Sequence, residues 1–238
     1  MNREDQEIRE LWHHLETRIG YVFRDPSLLE TAMTHSTYAY EHRSLHLISN
    51  ERLEFVGDGI LDFLVAETLY RRAPEQDEGY LSKTRALIVC EATLSSIAVD
   101  IGLGDCLLMG RGETMTGGRE KPSNLSNAME ALFAACYYDG GFDAAKGLVL
   151  RLMSAPIEEA LGGELIFDYK SRLLEIVQAK GSTHTARFAI VSEDGPVHER
   201  EYTAAVFVDD MEVSIGKGLS KKQAEQEAAK IWYSSHKK

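Results

Sequence analysis

The stretch from Asn50 to Tyr70, NERLEFVGDGILDFLVAETLY, constrains this chain more than any other. An α-helix turns about 100° per residue, so Glu51, Glu54 and Asp58, three and four residues apart, fall on an arc of roughly 60°. Asp62 extends the same face by another turn. Leu53, Val56, Ile60 and Leu64 line the opposite side, as a helix buried along one face requires. Surface helices ordinarily mix their charges as Glu–Lys pairs one turn apart. This stripe has no Lys or Arg on it to relieve the repulsion between its carboxylates, and the pattern calls for a cation.

The overall charge of −12 speaks, taken alone, against a nucleic-acid partner. Its distribution changes that reading. Residues 1–165 hold 15 Lys and Arg against 27 Asp and Glu, whereas residues 166–238 hold 11 of each. The length of 238 residues suffices for one large domain or two smaller ones. No apolar run reaches the roughly 20 residues of a membrane helix, and the opening MNREDQEIRE is too polar for a signal peptide. A cytoplasmic protein without a membrane partner is expected. Cys90, Cys106 and Cys136 are widely spaced, fit no CxxC pattern, and read as reduced, mostly buried thiols rather than a disulfide frame or zinc site.

Along the chain, Ile8, Leu11, Trp12, Leu15 and Ile19 predict an amphipathic helix over residues 4–19, and Asp25-Pro26-Ser27 predicts a second one through Met33. Tyr38 to Ser49 reads as a loop, with Asn50 as N-cap of the acidic helix. Helical periodicity resumes from Leu81 to Ile101 and ends at Gly102 and Gly104. Gly110 to Glu120 is rich in glycine without the Gly-Lys-Ser/Thr of a phosphate loop, and a surface loop is expected. Pro122 then opens a helix in which Asn127 and Glu130 are neighbours amid Leu125, Ala128, Leu132 and Phe133. An isolated Glu among apolar residues is costly to bury unpaired. Packed against the acidic helix, Glu130 would complete a cluster that needs a divalent cation, and oxygen donors of this kind suit Mg²⁺.

The chain changes character after residues 154–166, where Pro156 and Gly162-Gly163 mark a linker. Strand-like alternation follows in residues 185–192, 201–208 and 211–215, between helical patterns at 168–180 and 220–233. The predicted order is αβββα. The fold class is thus α+β with two domains: an all-helical domain over 1–153, the linker 154–166, and a mixed domain over 167–238.

NERLEFVGD resembles the signature of the ribonuclease III family, and IGYVFRDPSLLETAMTHSTY, DEGYLSKTRALIV and NAMEALFAACYYDGG extend the resemblance in order. DYKSRLLE, DGPVHEREY and GKGLSKKQAEQEAA resemble the double-stranded RNA-binding domain. The resemblance implies an endonuclease domain in which Glu54 and Glu130 ligate Mg²⁺, with Mn²⁺ as a substitute. Asp58 would position the attacking water or its metal, Asn127 would complete the metal's surroundings, and Glu51 and Glu78 would serve in outer roles on the RNA. It implies RNA contacts from Ser171, His198, Lys217, Lys221 and Lys222, and a homodimer in which Phe55 inserts into the second subunit. Ser220 can cap the last helix, bringing the three lysines to its positive end, where phosphates would sit.

Two departures from the pattern stand out. Leu174 replaces an expected polar Gln on the first helix of the RNA-binding domain, and Asn127 replaces an expected Asp. The function implied is Mg²⁺-dependent cleavage of double-stranded RNA, such as ribosomal RNA precursors, to 5′-phosphate and 3′-hydroxyl ends, with no small-molecule cofactor. Asn127 keeps an alternative open, a non-cleaving double-stranded RNA-binding protein with an impaired site. A small-molecule metal phosphohydrolase would leave the C-terminal domain unexplained.

Overall fold

The computed structural model describes residues 3–162, 169–179, 184–196 and 200–236. It divides into two units, residues 1–165 and 166–238. The first is helical. Helix α1 (Arg3–Ile19) buries Leu15 and Ile19, and Trp12 donates from Nε1 to the Cys106 carbonyl. Helix α2 (Pro26–Met33) starts with Pro in its first turn and is capped by Asp25, whose carboxylate accepts from the Ser27 amide. Residues 38–49, expected as a loop, contain most of a short helix, α3 (Ser36–Glu41), and a 3₁₀ turn at Arg43–Leu45. His35 caps α3 by accepting from the Thr37 amide, and Tyr38 stacks on His42 with ring centroids 4.1 Å apart. These local contacts hold a helix whose six residues are too few to show a period.

The acidic stretch forms α4 (Glu51–Arg72). Its buried face is Leu53, Gly57, Leu61, Leu64, Val65 and Leu69, while Val56 and Ile60 are half-buried. Asn50 does not cap it. That residue has helical backbone, is buried, and gives its amide to the Thr34 carbonyl at 2.8 Å. The helix predicted over 81–101 is two, α5 (Glu78–Ile88) and α6 (Glu91–Asp100), broken where Cys90 turns extended. Helices α7 (Leu103–Cys106) and α8 (Arg111–Met115) follow, the latter within the glycine-rich stretch expected as a loop. Glu113 explains the order there: its carboxylate accepts from the Asn124 side chain at 2.8 Å and faces Lys121 at 3.5 Å.

Helix α9 (Pro122–Leu152) is the central partner of α4. It consists of two helical segments that meet at a kink at Gly141, whose φ of 79° and ψ of −175° are not helical. The stretch expected to begin a linker at residue 154 is instead α10 (Ser154–Leu161), and its buried Ile157 and Ala160 belong to the first unit's core. The break expected from Pro156 fails because proline is tolerated in a helix's first turn.

The second unit has the expected αβββα order: α11 (Tyr169–Ala179), β1 (Ala186–Asp194), β2 (Glu201–Val208), β3 (Met211–Gly218) and α12 (Lys221–His236). The strands form an antiparallel sheet in the order β1-β2-β3, with Ala189 opposite Ala205 and Ala205 opposite Ile215. Alternation puts Ala204 and Val206 on the face covered by Leu173 and Val177 of α11 and Ala224, Ala228 and Trp232 of α12. The register shifts once in each ladder, between Ile190 and Ser192 and between Val206 and Phe207.

Candidate active site and RNA interface

The acidic site begins with a missing side chain. A Cβ built on Gly57 would lie 1.8 Å from the Glu130 carbonyl oxygen and 2.4 Å from its carbon. Helix α4 therefore lies against the backbone of α9 at Glu130, closer than any larger residue permits. Glu54 and Asp58, next to Gly57 on the helical surface, are brought beside Glu130 by that contact.

Electrostatics report the same proximity. The Glu130 carboxyl is pushed up to about 7, first by burial and then by the charges of Asp58, Glu54 and Asp62. The Glu54 carboxyl is raised as well, by burial, Glu51 and Asp58. Glu51, Glu54, Asp58, Asp62 and Glu130 are thus one mutually repelling group. Asp62 is partly relieved by Arg85 of α5, at 3.8 Å, a partner that inspection of the α4 stripe alone did not supply. Glu78 stands apart: exposed at the start of α5, it accepts from Ser82 Oγ at 2.6 Å and does not figure among the charges acting on Glu54 or Glu130.

Asn127, one turn before Glu130 on α9, is half-buried, with Ser126 Oγ 3.5 Å from its Oδ1. Glu54, Asp58, Asn127 and Glu130 offer hard oxygen donors, the chemistry that Mg²⁺ and similar cations take. Their repulsion and the raised Glu130 fit a cation's site. Among the described residues no three Asp, Glu, His or Cys side chains are grouped closely enough to form a ligand set.

Phe55 points away from this protomer's core and is 82% exposed, which excludes ordinary core packing within the chain. It lies beside a hollow lined by Leu28, Ile48, Arg52, Val56 and Tyr138.

In the second unit Ser220 caps α12 by accepting from the Gln223 amide, and Gln223 returns a bond to the Leu219 amide. Lys217, Lys221 and Lys222 are exposed at or near that helix start. Lys217 is paired with Glu201 at 2.6 Å and Lys221 with Glu193 at 2.8 Å. Ser171 is exposed on the first turn of α11, and Leu174 is half-buried one turn on. His198 lies outside the described residues. Sequence reasoning missed Gly57, Arg85, Glu193 and Glu201. Only Gly57 left a signal, as a glycine within a strongly helical run.

Comparison with known proteins agrees with both units. Residues 25–157 match the family model described as ribonuclease-III-like, and residues 169–234 match the double-stranded RNA binding motif. Ribonuclease 3 of Pelotomaculum thermopropionicum is 45% identical over 91% of this chain and 89% of its own length. That of Geobacillus kaustophilus is 41% identical over 96% and 92%. The nuclease domain of ribonuclease III from Campylobacter jejuni, in a structure concerned with flexibility in a region of dimer formation, superposes with a TM-score of 0.56 at 41% identity. It covers 60% of this chain and 96% of its own. Motif, fold, acidic cluster and relatives agree: the chain belongs to the ribonuclease III family, metal-dependent endoribonucleases that cleave double-stranded RNA.

Proposed function

We propose that this endonuclease uses Mg²⁺, with Mn²⁺ as a substitute, held by Glu54, Asp58, Asn127 and Glu130. The supporting observation is the close crossing at Gly57, which gathers carboxylates from two helices into one repelling group. A hard divalent cation bound there supplies positive charge at the scissile phosphate and a water acidic enough to attack near neutral pH. Glu54 and Glu130 hold it from facing helices, and Asp58 orients the attacking water. Glu51, which accepts from Ser49 Oγ at 2.9 Å, and Glu78, steadied by Ser82, act further out, on the RNA. Breaking the bond from phosphorus to the 3′ oxygen leaves 5′-phosphate and 3′-hydroxyl ends.

The substrate is double-stranded RNA, gripped through Ser171, His198, Lys217, Lys221 and Lys222. The working unit is a homodimer with Phe55 as the interface anchor, each subunit site cutting one strand, and structured precursors such as ribosomal RNA are the targets. Among the described residues no helix is long and apolar enough to cross a membrane; the place of action in this reading is the cytoplasm.

Asp58→Asn and Glu130→Gln test the assignment. Both should abolish cleavage in Mg²⁺ while duplex binding in Ca²⁺, followed by electrophoretic shift, stays near that of the parent protein. Cleavage retained by both variants would refute the site.

A further inference from the structure

Two of the three lysines assigned to phosphate, Lys217 and Lys221, are held in ion pairs. Glu201 lies on β2 two residues before Thr203, which is opposite Lys217 on β3, so the two side chains are diagonal neighbours on one face of the sheet. Their ion pair measures 2.6 Å. Glu193, near the end of β1, reaches Lys221 in the first turn of α12 with one oxygen at 2.8 Å and Arg200 with the other at 3.4 Å. Asp194, opposite Glu201 in the ladder, adds to the field on Lys217. The carboxylates hold both ammonium groups above their ordinary range, and Lys221 and Arg200 hold Glu193 below its own. Among the described residues Lys222 has no such ion pair.

We propose that Glu193 and Glu201 limit the affinity of this domain for duplex RNA by occupying Lys221 and Lys217 in ion pairs that a phosphate must displace. The inference rests on the reading that these lysines contact phosphate. A carboxylate displaced in this way stays within a side chain's reach of the incoming phosphate and repels it. It also gathers cations as its lysine leaves, so fewer counterions are released overall than by an unpaired lysine. Exposed pairs of this kind are individually weak, so each should hold binding back by about two- to fivefold rather than by orders of magnitude. Both pairs fit a domain that carries equal numbers of acidic and basic residues while binding a polyanion.

The test uses the full chain and a fluorescein-labelled RNA duplex of about 30 base pairs, long enough for the roughly 16 that one such domain spans. Binding is followed by anisotropy without divalent metal, across a range of KCl. Glu193→Gln with Glu201→Gln should tighten binding roughly five- to twentyfold near 0.15 M salt. The log–log salt dependence should steepen by up to about one unit per released lysine. Lys217→Gln and Lys221→Gln should weaken binding, and Lys217→Gln should erase the gain from Glu201→Gln. If the lysine variants bind like the parent, the phosphate reading fails and the inference falls with it. If they weaken binding but the glutamine pair binds no tighter, the carboxylates pre-order the lysines instead, and the inference alone is overturned.

Discussion

Replacing Gly57 with Ala adds one methyl group at the place where the two central helices of the nuclease unit touch. That carbon would begin 1.8 Å from the Glu130 carbonyl oxygen, whereas real Cβ atoms essentially never come within 3.0 Å of another heavy atom. The helices must part locally by at least about 1.2 Å, the difference between those two distances. Overpacking in a tight core costs about 1–3 kcal/mol, and the helix-propensity gain of Ala over Gly returns only about 1 kcal/mol. A net loss of up to about 2 kcal/mol is expected, equivalent to a drop of at most several degrees in Tm. The loss in catalysis should be larger: a shift of about 1 Å between Glu130 and the α4 carboxylates is of the size that costs roughly 100-fold in rate. Gly147→Ala, also on α9 but with nothing within 4 Å of the added carbon, is the control. It should be neutral or slightly stabilising and leave cleavage unchanged. Melting curves and single-turnover cleavage of one duplex would be measured for both variants. A Gly57→Ala protein that melts and cuts like Gly147→Ala would refute the role of the close crossing.

Asn127→Asp restores a unit of negative charge to the proposed metal surroundings, and the half-saturating Mg²⁺ for cleavage should fall by about tenfold, a small fraction of the gross Coulomb attraction. Asp62 already adds to the field on Glu130 in the parent, though Arg85 faces it at 3.8 Å; a half-saturating concentration that stays put would place Asn127 outside the ion's surroundings. In metal-free protein the raised Glu130 carboxyl makes the folded state bind more protons than the unfolded one from about pH 4.5 to 7, so stability should fall as pH rises through that window. Glu130→Gln should remove part of this slope and melt higher than the parent at pH 8, by an amount on the order of 1–2 kcal/mol after solvent screening. Equal melting at pH 8 without metal would contradict the raised value.

Features that repeat along the chain could be read in the sequence, and features set by a crossing could not. The 3.6-residue period of α4 and the alternation in β1 and β2 put their acidic and apolar faces in view, because each residue's environment follows from its neighbours three, four or two positions away. Glu130 stood out for a related reason, as a charge in an apolar run. Asn50 misled because a residue type favoured at an N-cap caps from an extended backbone, and here its backbone is helical, with its amide held by the Thr34 carbonyl, a tertiary contact that no local pattern announces. Gly57 gave a weak signal, since nothing local says which backbone will cross it. Glu193 and Glu201 gave none: their partners depend on the strand register, which a shifted residue in each ladder alters.

The break at Gly141 has a consequence for the reach of the longest helix. At about 1.5 Å per residue, a straight helix over Pro122–Leu152 would run roughly 46 Å, well past the approximately 30 Å diameter of a small domain. Its last two turns would stand in water with Leu148 and Val149 uncovered. Gly141 adopts a φ of 79° that other residues resist, and the chain changes course there. Beyond it, Phe142 comes within 6.1 Å of Phe63, Leu148 and Val149 return to the interior, and Arg151 reaches the Gly20 carbonyl at the end of α1. The two segments thus act as separate struts: the first carries the acidic site, and the second fastens the chain's beginning to its middle.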